Sequence, residues 1–199
     1  MIKNSNNRFI DVLLALNNAE EYNQLLGRIQ LQKYIYLSDT ISVIWDILAP
    51  AEGHETYKNG PFDESITNAV DVLAFRGFVV VESMHMEHSK VAVSYKISKA
   101  GIKLFEALNN EEHFQNKIML FNEMAKHIEK TGWKKLMELV YSEPTYIQSR
   151  ATGYGYKFDY MSLFTNESLR ILYQFEEMLQ NGQRITKQNM LSLFFKLLN

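Results

Sequence analysis

The alternation of apolar and polar positions along this chain predicts helices for most of its length, interrupted by one pair of β-rich runs. Phe9, Val12, Leu13 and Leu16 recur at three- and four-residue spacing and so share one stripe of a first helix, which Asn17-Asn18-Ala19 weakens. A longer stripe runs through Leu31, Tyr34, Ile35, Leu37, Ser38, Ile41, Ile44, Trp45 and Leu48, and is predicted to continue as one helix until Pro50. Proline stops a helix because it lacks an N–H and its ring crowds the preceding turn. The polar stretch 51–59, which contains Gly53, predicts an exposed loop.

In the corner Tyr57-Lys58-Asn59-Gly60-Pro61-Phe62, Gly60 has access to backbone angles closed to other residues and Pro61 fixes φ near a helical value. A third helix is predicted to start there. Its apolar stripe is Ile66, Ala69, Val70, Leu73 and Ala74, and Gly77 stands where a left-handed residue commonly ends a helix. Two β-branched and aromatic runs, 78–81 and 91–97, flank residues 83–90, a length suited to a hairpin with a mobile tip. Ser98 is placed to cap the next helix. The expected fold class is mainly α with a small β-hairpin: a winged helix-turn-helix domain over residues 1–110, followed by a helical extension over 111–199.

Within that extension the pattern predicts helices over 101–108, 114–130 (closed by Gly132), 133–141, a short segment from Pro144, 166–179 and 186–198, with Asn181-Gly182 separating the last two. Residues 151–160 break the pattern. Gly153 and Gly155 alternate there with Tyr154, Tyr156, Phe158 and Tyr160, too apolar for a plain solvent loop and too irregular for a long helix. This loop is expected to be pinned against another surface.

Charge changes the reading of the supposed recognition helix. Over residues 62–77 the acids are Asp63, Glu64 and Asp71 and the base is Arg76, a formal charge of minus two, and the hairpin from Glu82 to Lys96 is neutral. Nucleic-acid affinity rests mainly on neutralising phosphates with Lys and Arg. Protein contact is therefore the expected use of this surface, through Tyr57, Phe62, Asp63, Glu64, Arg76, Arg150, Tyr154, Tyr156, Phe158 and Tyr160. Lys126, Lys130, Lys134 and Lys135 are weaker candidates for contact with DNA held by a larger assembly, as are Arg184, Lys187 and Lys196; a solvated helical face is the competing account.

The chain's 199 residues carry a net charge of −2 and 46% hydrophobic residues, so it is neither disordered by composition nor a general polyanion binder. Zero cysteines exclude disulfides and thiolate chemistry. A polar N-terminus and the lack of an apolar run of about eighteen residues predict a soluble cytoplasmic protein with no membrane partner. His85 and His88 have the types for a metal site but sit at a hairpin tip without further ligands, and His54-Glu55 is as weak a signal. His113 and His127 read as solvated helix residues, Asp63 and Glu64 as favourable charges at a helix start, and Tyr34 and Tyr36 beside Lys33 as pointing in different directions. Phosphate loops, nucleophile elbows and dinucleotide fingerprints are missing from the sequence, so no enzyme activity, cofactor or metal is expected.

Three segments carry a family resemblance. Leu31-Gln32-Lys33-Tyr34-Ile35-Tyr36-Leu37 is similar to a signature of prokaryotic winged-helix families of the Panacea and YwgA-like groups. Tyr57-Lys58-Asn59-Gly60-Pro61-Phe62-Asp63, with residues 68–77, resembles the middle component of ABC-three-component antiphage systems, the class containing Lamassu, and residues 139–144 add a weaker match. The resemblance covers roughly the first 160 residues. It implies a non-catalytic adaptor between an SMC-like ABC ATPase and a nuclease-type effector. The alternative is a DNA-binding winged-helix regulator or antitoxin, which requires a dimer and a basic face.

Overall fold

Val12, Leu13 and Leu16 are buried where their spacing puts them, on helix α1 (Arg8–Glu21). The computed structural model describes residues 8–49, 53–87, 90–180 and 185–198. After α1 come strand β1 (Leu26–Gly27), helix α2 (Arg28–Thr40), a 3-10 turn (Ser42–Trp45), strands β2 (Glu55–Tyr57) and β3 (Gly60–Phe62), helix α3 (Glu64–Phe75), and strands β4 (Val79–Glu87) and β5 (Lys90–Ile97). Helices α4 (Lys99–Asn109), α5 (Gln115–Thr131), α6 (Trp133–Ser142), α7 (Pro144–Thr152), α8 (Glu167–Gln180) and α9 (Lys187–Leu197) complete the chain. The fold is mainly helical with small antiparallel sheets, and no described helix is long and apolar enough to cross a membrane.

Three elements depart from the sequence pattern. Helix α2 ends at Thr40 instead of continuing towards Pro50, which lies outside the described residues, as do 51 and 52. Ser38 and Thr40 hydroxyls bond back to the carbonyls of Tyr34 and Tyr36, and Asp46 then takes a left-handed backbone (φ 57°) that closes the 3-10 turn. The apolar stripe continued across this break because Ile44 and Trp45 are buried from the turn instead.

The Gly60-Pro61 corner is the second departure. It is the far side of a tight hairpin, with Tyr57 opposite Gly60 and Thr56 opposite Pro61, and α3 starts at Glu64. Proline is tolerated because β3 pairs on one side alone. Gly60 has φ +95°, which favours glycine, and a Cβ there would lie 2.6 Å from Lys33 Nζ and displace that ammonium. The helix start is supplied by Asp63, whose side chain accepts from the Ser65 N–H at 2.9 Å. His54 and Thr56, expected in an exposed loop, are buried because β2 is covered by residues 153–158.

The third is the β4–β5 hairpin, which stays paired from Val79↔Ile97 to Glu87↔Lys90, with a register slip at Val81/Ser83. Much of the expected tip is thus strand; residues 88 and 89, including His88, lie outside the described residues. β1 pairs antiparallel with β5 through Leu26↔Tyr95 and makes a sheet of order β1-β5-β4.

Helix α1 packs on α2, α3, α4, α5 and β5, so one apolar cluster joins the two segments expected on either side of residue 110. Leu13, Tyr34, Trp45, Ile66 and Val79 share it with Phe121, Leu139, Tyr146, Phe158 and Phe194. At about 1.5–3 kcal/mol for each fully buried large apolar side chain, this shared core is what holds the second segment to the first. Asn181, Gly182 and Arg184 lie outside the described residues.

Candidate functional site

Helix α3 buries Ile66, Ala69, Val70 and Leu73, which turns Glu64, Asn68, Asp71, Val72, Phe75 and Arg76 outward. Phe75 is 93% exposed and Val72, three residues before it on the same face, is 37% exposed. The charges are arranged differently from the sequence count. Asp63 is buried and bonded to Arg8, and Asp71 is paired at 2.5 Å with Arg28 of α2, which also donates to the Tyr95 hydroxyl. What α3 presents is a nearly neutral face centred on an unpartnered phenylalanine, not an excess of negative charge. Phe75 lies off the buried stripe of α3, so the periodicity that defines this helix in the sequence does not mark it.

Residues 151–160 are pinned, as their composition suggested. Tyr156 O accepts from the Thr56 N–H at 2.9 Å, Thr56 O accepts from the Gly155 N–H at 2.8 Å, and His54 O accepts from the Phe158 N–H at 2.9 Å. The segment thereby lies along β2. Tyr154 (75% exposed) and Tyr156 are exposed on this segment, as is Tyr57 on β2, whose ring sits 5.2 Å from that of Phe62. Arg150 is exposed on α7. Three expected contact residues are not at the surface: Asp63, Phe158 and Tyr160 are buried, the first in an ionic knot and the other two in the core. The aromatic pair Phe158 and Tyr160 serves as the loop's inward anchor, with Phe158 against Tyr36 and Tyr146.

The ionic knot joins α1, α2, the β2–β3 hairpin and α5. Arg8 donates to Asp11 (2.9 Å), Asp39 (2.8 Å) and Asp63 (2.8 Å), and Lys117 Nζ reaches Asp11 at 2.5 Å. Gln32 ties in the backbone of Asp63 through both ends of its amide. Burial opposes the charge on Arg8, but Asp39, Asp11 and Asp63 together hold its pKa above the ordinary value. Burial would raise Asp11, yet Lys117 and Arg8 outweigh it and hold this carboxyl below the usual range. Three carboxylates face two cations, and the surplus negative charge falls on Asp39, which burial pushes up to about 6. His54, buried and beside Arg8 and Lys33, is held well below its ordinary value and is neutral, with Nδ1 at 3.0 Å from the Tyr160 hydroxyl.

A raised carboxyl pKa stabilises the fold fully below the unfolded value of 3.8 and loses that contribution as pH rises through about 6. The difference in urea midpoint between the wild type and Asp39→Asn is therefore expected to change across that interval and to be flat above it. A difference independent of pH would show that Asp39 does not take the proton.

The lysines proposed for DNA lie on solvated faces. Lys126 and Lys135 are paired with Glu123 and Glu138 of their own helices, Lys130 and Lys134 are exposed, and Lys187 is paired with Asp46. His113 is exposed as expected, but His127 is half-buried against Phe195. Among the described residues no group of three or more His, Cys, Asp or Glu is placed to hold a metal ion.

No family model, curated protein or solved structure matches this chain.

Proposed function

We propose that this chain is a non-catalytic docking subunit of an antiphage defence complex, seated on an SMC-like ABC ATPase and bridging or restraining a nuclease-type effector. The observation that carries the docking role is the outer face of α3, where an almost fully exposed Phe75 stands beside Val72 on a surface with little net charge. Interfaces draw most of their energy from a few large side chains that fill a partner's pocket. The order α1-β1-α2-α3-β4-β5, with β1 added to the hairpin sheet, supports reading residues 8–97 as a winged helix-turn-helix. In that architecture α3 is the element offered to a partner. A DNA-reading use would need several cations on this face, where Arg28 is engaged by Asp71 and Arg76 is the exposed base set against Glu64.

Coexpression with the products of its neighbouring genes tests the proposal. An SMC-like ATPase and an effector are expected to copurify with the wild-type chain, and Phe75→Glu is expected to weaken the assembly by about thirtyfold or more, as a hot-spot loss of about 2 kcal/mol implies. The substitution is at an exposed site and should leave stability within about 0.5 kcal/mol. Purification of the chain alone, or a salt-dependent shift of duplex DNA unaffected by Phe75→Glu, would overturn the reading.

A further inference from the structure

Beside α3 lies a pocket of about 290 Å³ between the first turns of α2 and the β2–β3 hairpin. Its walls include Ile29, Tyr57 and Phe62, and Arg28 and Lys33 contribute cations. Lys33 is 3% exposed, and its Nζ lies against Gly60 and donates to the Pro61 carbonyl at 2.7 Å. An ammonium carries three donors, yet none of the ion pairs among the described residues includes Lys33. A buried cation without a counter-ion is costly, and at the wall of an open pocket the counter-ion can come from a ligand.

We propose that this pocket binds a carboxylate carried by a peptide, with Lys33 as its ion-pair partner and Tyr57 and Phe62 gripping the apolar stem. At about 290 Å³ the pocket lies at the small end of the range for ligand sites, about 300–1,000 Å³, which suits one acidic group and a short apolar stem. The chemistry agrees. Phosphate sites gather several cations or backbone N–H groups, whereas here one ammonium without a counter-ion sits in a mostly apolar lining and Arg28 is shared with Asp71 and Tyr95. An Asp or Glu side chain and a peptide's C-terminal carboxylate both meet the requirement. The site is argued from Lys33 and does not rest on the docking role of Phe75.

The titration of Lys33 supplies a readout that a purely structural lysine would not give. Burial lowers its pKa to about 7 in the free protein. The groups facing it are Arg28 on α2, Tyr57 on the hairpin, Tyr141 of α6 across Gly60, and neutral His54; none adds a negative charge at neutral pH. A bound carboxylate must raise the Lys33 pKa, so affinity is expected to be highest below about pH 7 and to fall as pH rises through that value.

The experiment uses the full chain with [13C]lysine and follows the Lys33 ε-methylene resonance during titration with four probes: a capped hexapeptide with a central Glu-Leu, its Gln-Leu counterpart, an uncapped hexapeptide ending in free leucine, and inorganic phosphate. At least one carboxylate peptide is expected to bind about tenfold or more tightly than the Gln peptide and to move the Lys33 titration upward. Comparing the Glu and C-terminal probes distinguishes the two sources of carboxylate. Lys33→Met is expected to abolish the preference. Ile29→Glu, at an exposed position on the pocket wall, is expected to raise the Lys33 titration by itself and to compete with the peptides. Equal binding of Glu and Gln peptides, no binding with an unmoved Lys33 resonance, or a larger response to phosphate than to any peptide would overturn the proposal. None of these results bears on copurification through Phe75, so the two readings fail separately.

Discussion

Arg8→Met is expected to destabilise the fold by about 3–5 kcal/mol near neutral pH, the range seen when one partner of a buried ion pair is removed. Domains of this kind have about 5–15 kcal/mol in total, so the loss is a large fraction of the stability available. The reason lies in what remains. Methionine fills much of the arginine's apolar volume, but Asp39 and Asp63 lose their cation while Asp11 keeps Lys117. Buried carboxylates without a cation protonate at higher pH in the folded state than in the unfolded chain. A raised folded pKa gives stability that is present at low pH and lost as pH rises through it, so the variant should recover on acidification and its stability maximum should move to lower pH. Adding Asp39→Asn to Arg8→Met should restore part of the loss, because it removes one of the orphaned charges. Urea unfolding from about pH 4.5 to 8 measures all of this. Parallel curves for wild type and variant would mean that the knot does not carry buried charge.

The knot matters beyond stability because it aims the candidate surfaces. Arg8 on the central helix holds Asp63, and Asp63 is both the end of the β2–β3 hairpin and the cap of α3. The direction of α3, and hence of Phe75, is set by a bond to the first residue of α1. The same bond fixes the hairpin that walls the pocket above Lys33. Gln32 repeats the tie from α2, reaching both the N–H and the carbonyl of Asp63.

Much of the helix framework was readable from periodicity, because residues such as Leu13, Val70, Met124 and Leu139 recur at helical spacing and are buried for that reason. What was not readable depended on partners distant in sequence. A two-residue strand such as β1 has no period of its own and exists only because Tyr95 and Ser94 of β5 lie beside it. The Gly60-Pro61 corner has the composition of a helix start, and only the pairing of Thr56 and Tyr57 across it turns it into a hairpin. Candidate site residues divided in the same way. Tyr57 on β2 and Tyr154 and Tyr156 on the segment bonded to that strand are exposed, whereas Asp63, Phe158 and Tyr160 are consumed inside. Arg8, Lys33 and Glu143 carried no local signal for burial, since a charged residue in a helical stretch is ordinarily solvated. Phe75 carried a signal of the opposite kind, for exposure: an aromatic off the buried stripe of an otherwise well-patterned helix.

The second large effect is expected at Glu143, which is wholly buried between α6 and α7. Its carboxylate accepts from the Thr145 N–H at 3.0 Å and the Tyr146 N–H at 2.5 Å, which caps α7, and from the hydroxyls of Tyr36 on α2 and Ser168 on α8. Four donors from three helices converge on one side chain that the positive end of α7 also favours. Glu143→Ala leaves all four without an acceptor and opens a cavity, and is expected to cost about 3–5 kcal/mol. Glu143→Gln keeps the volume and one oxygen but turns two donors towards donors, so it should fall between the wild type and alanine. Tyr36→Phe removes a single donor and should cost about 1–2 kcal/mol. In Glu143→Ala the Tyr36 hydroxyl is already unpaired, so the two losses should not add. A double-mutant cycle by urea unfolding is expected to give a coupling of about 1 kcal/mol or more. Tyr36 also packs against Phe158, the inward anchor of the 151–160 loop, so losing Glu143 should increase amide exchange at Gly155 and Phe158 before global unfolding. Additive losses with unchanged exchange in that loop would separate Glu143 from the surface that carries Tyr154 and Tyr156.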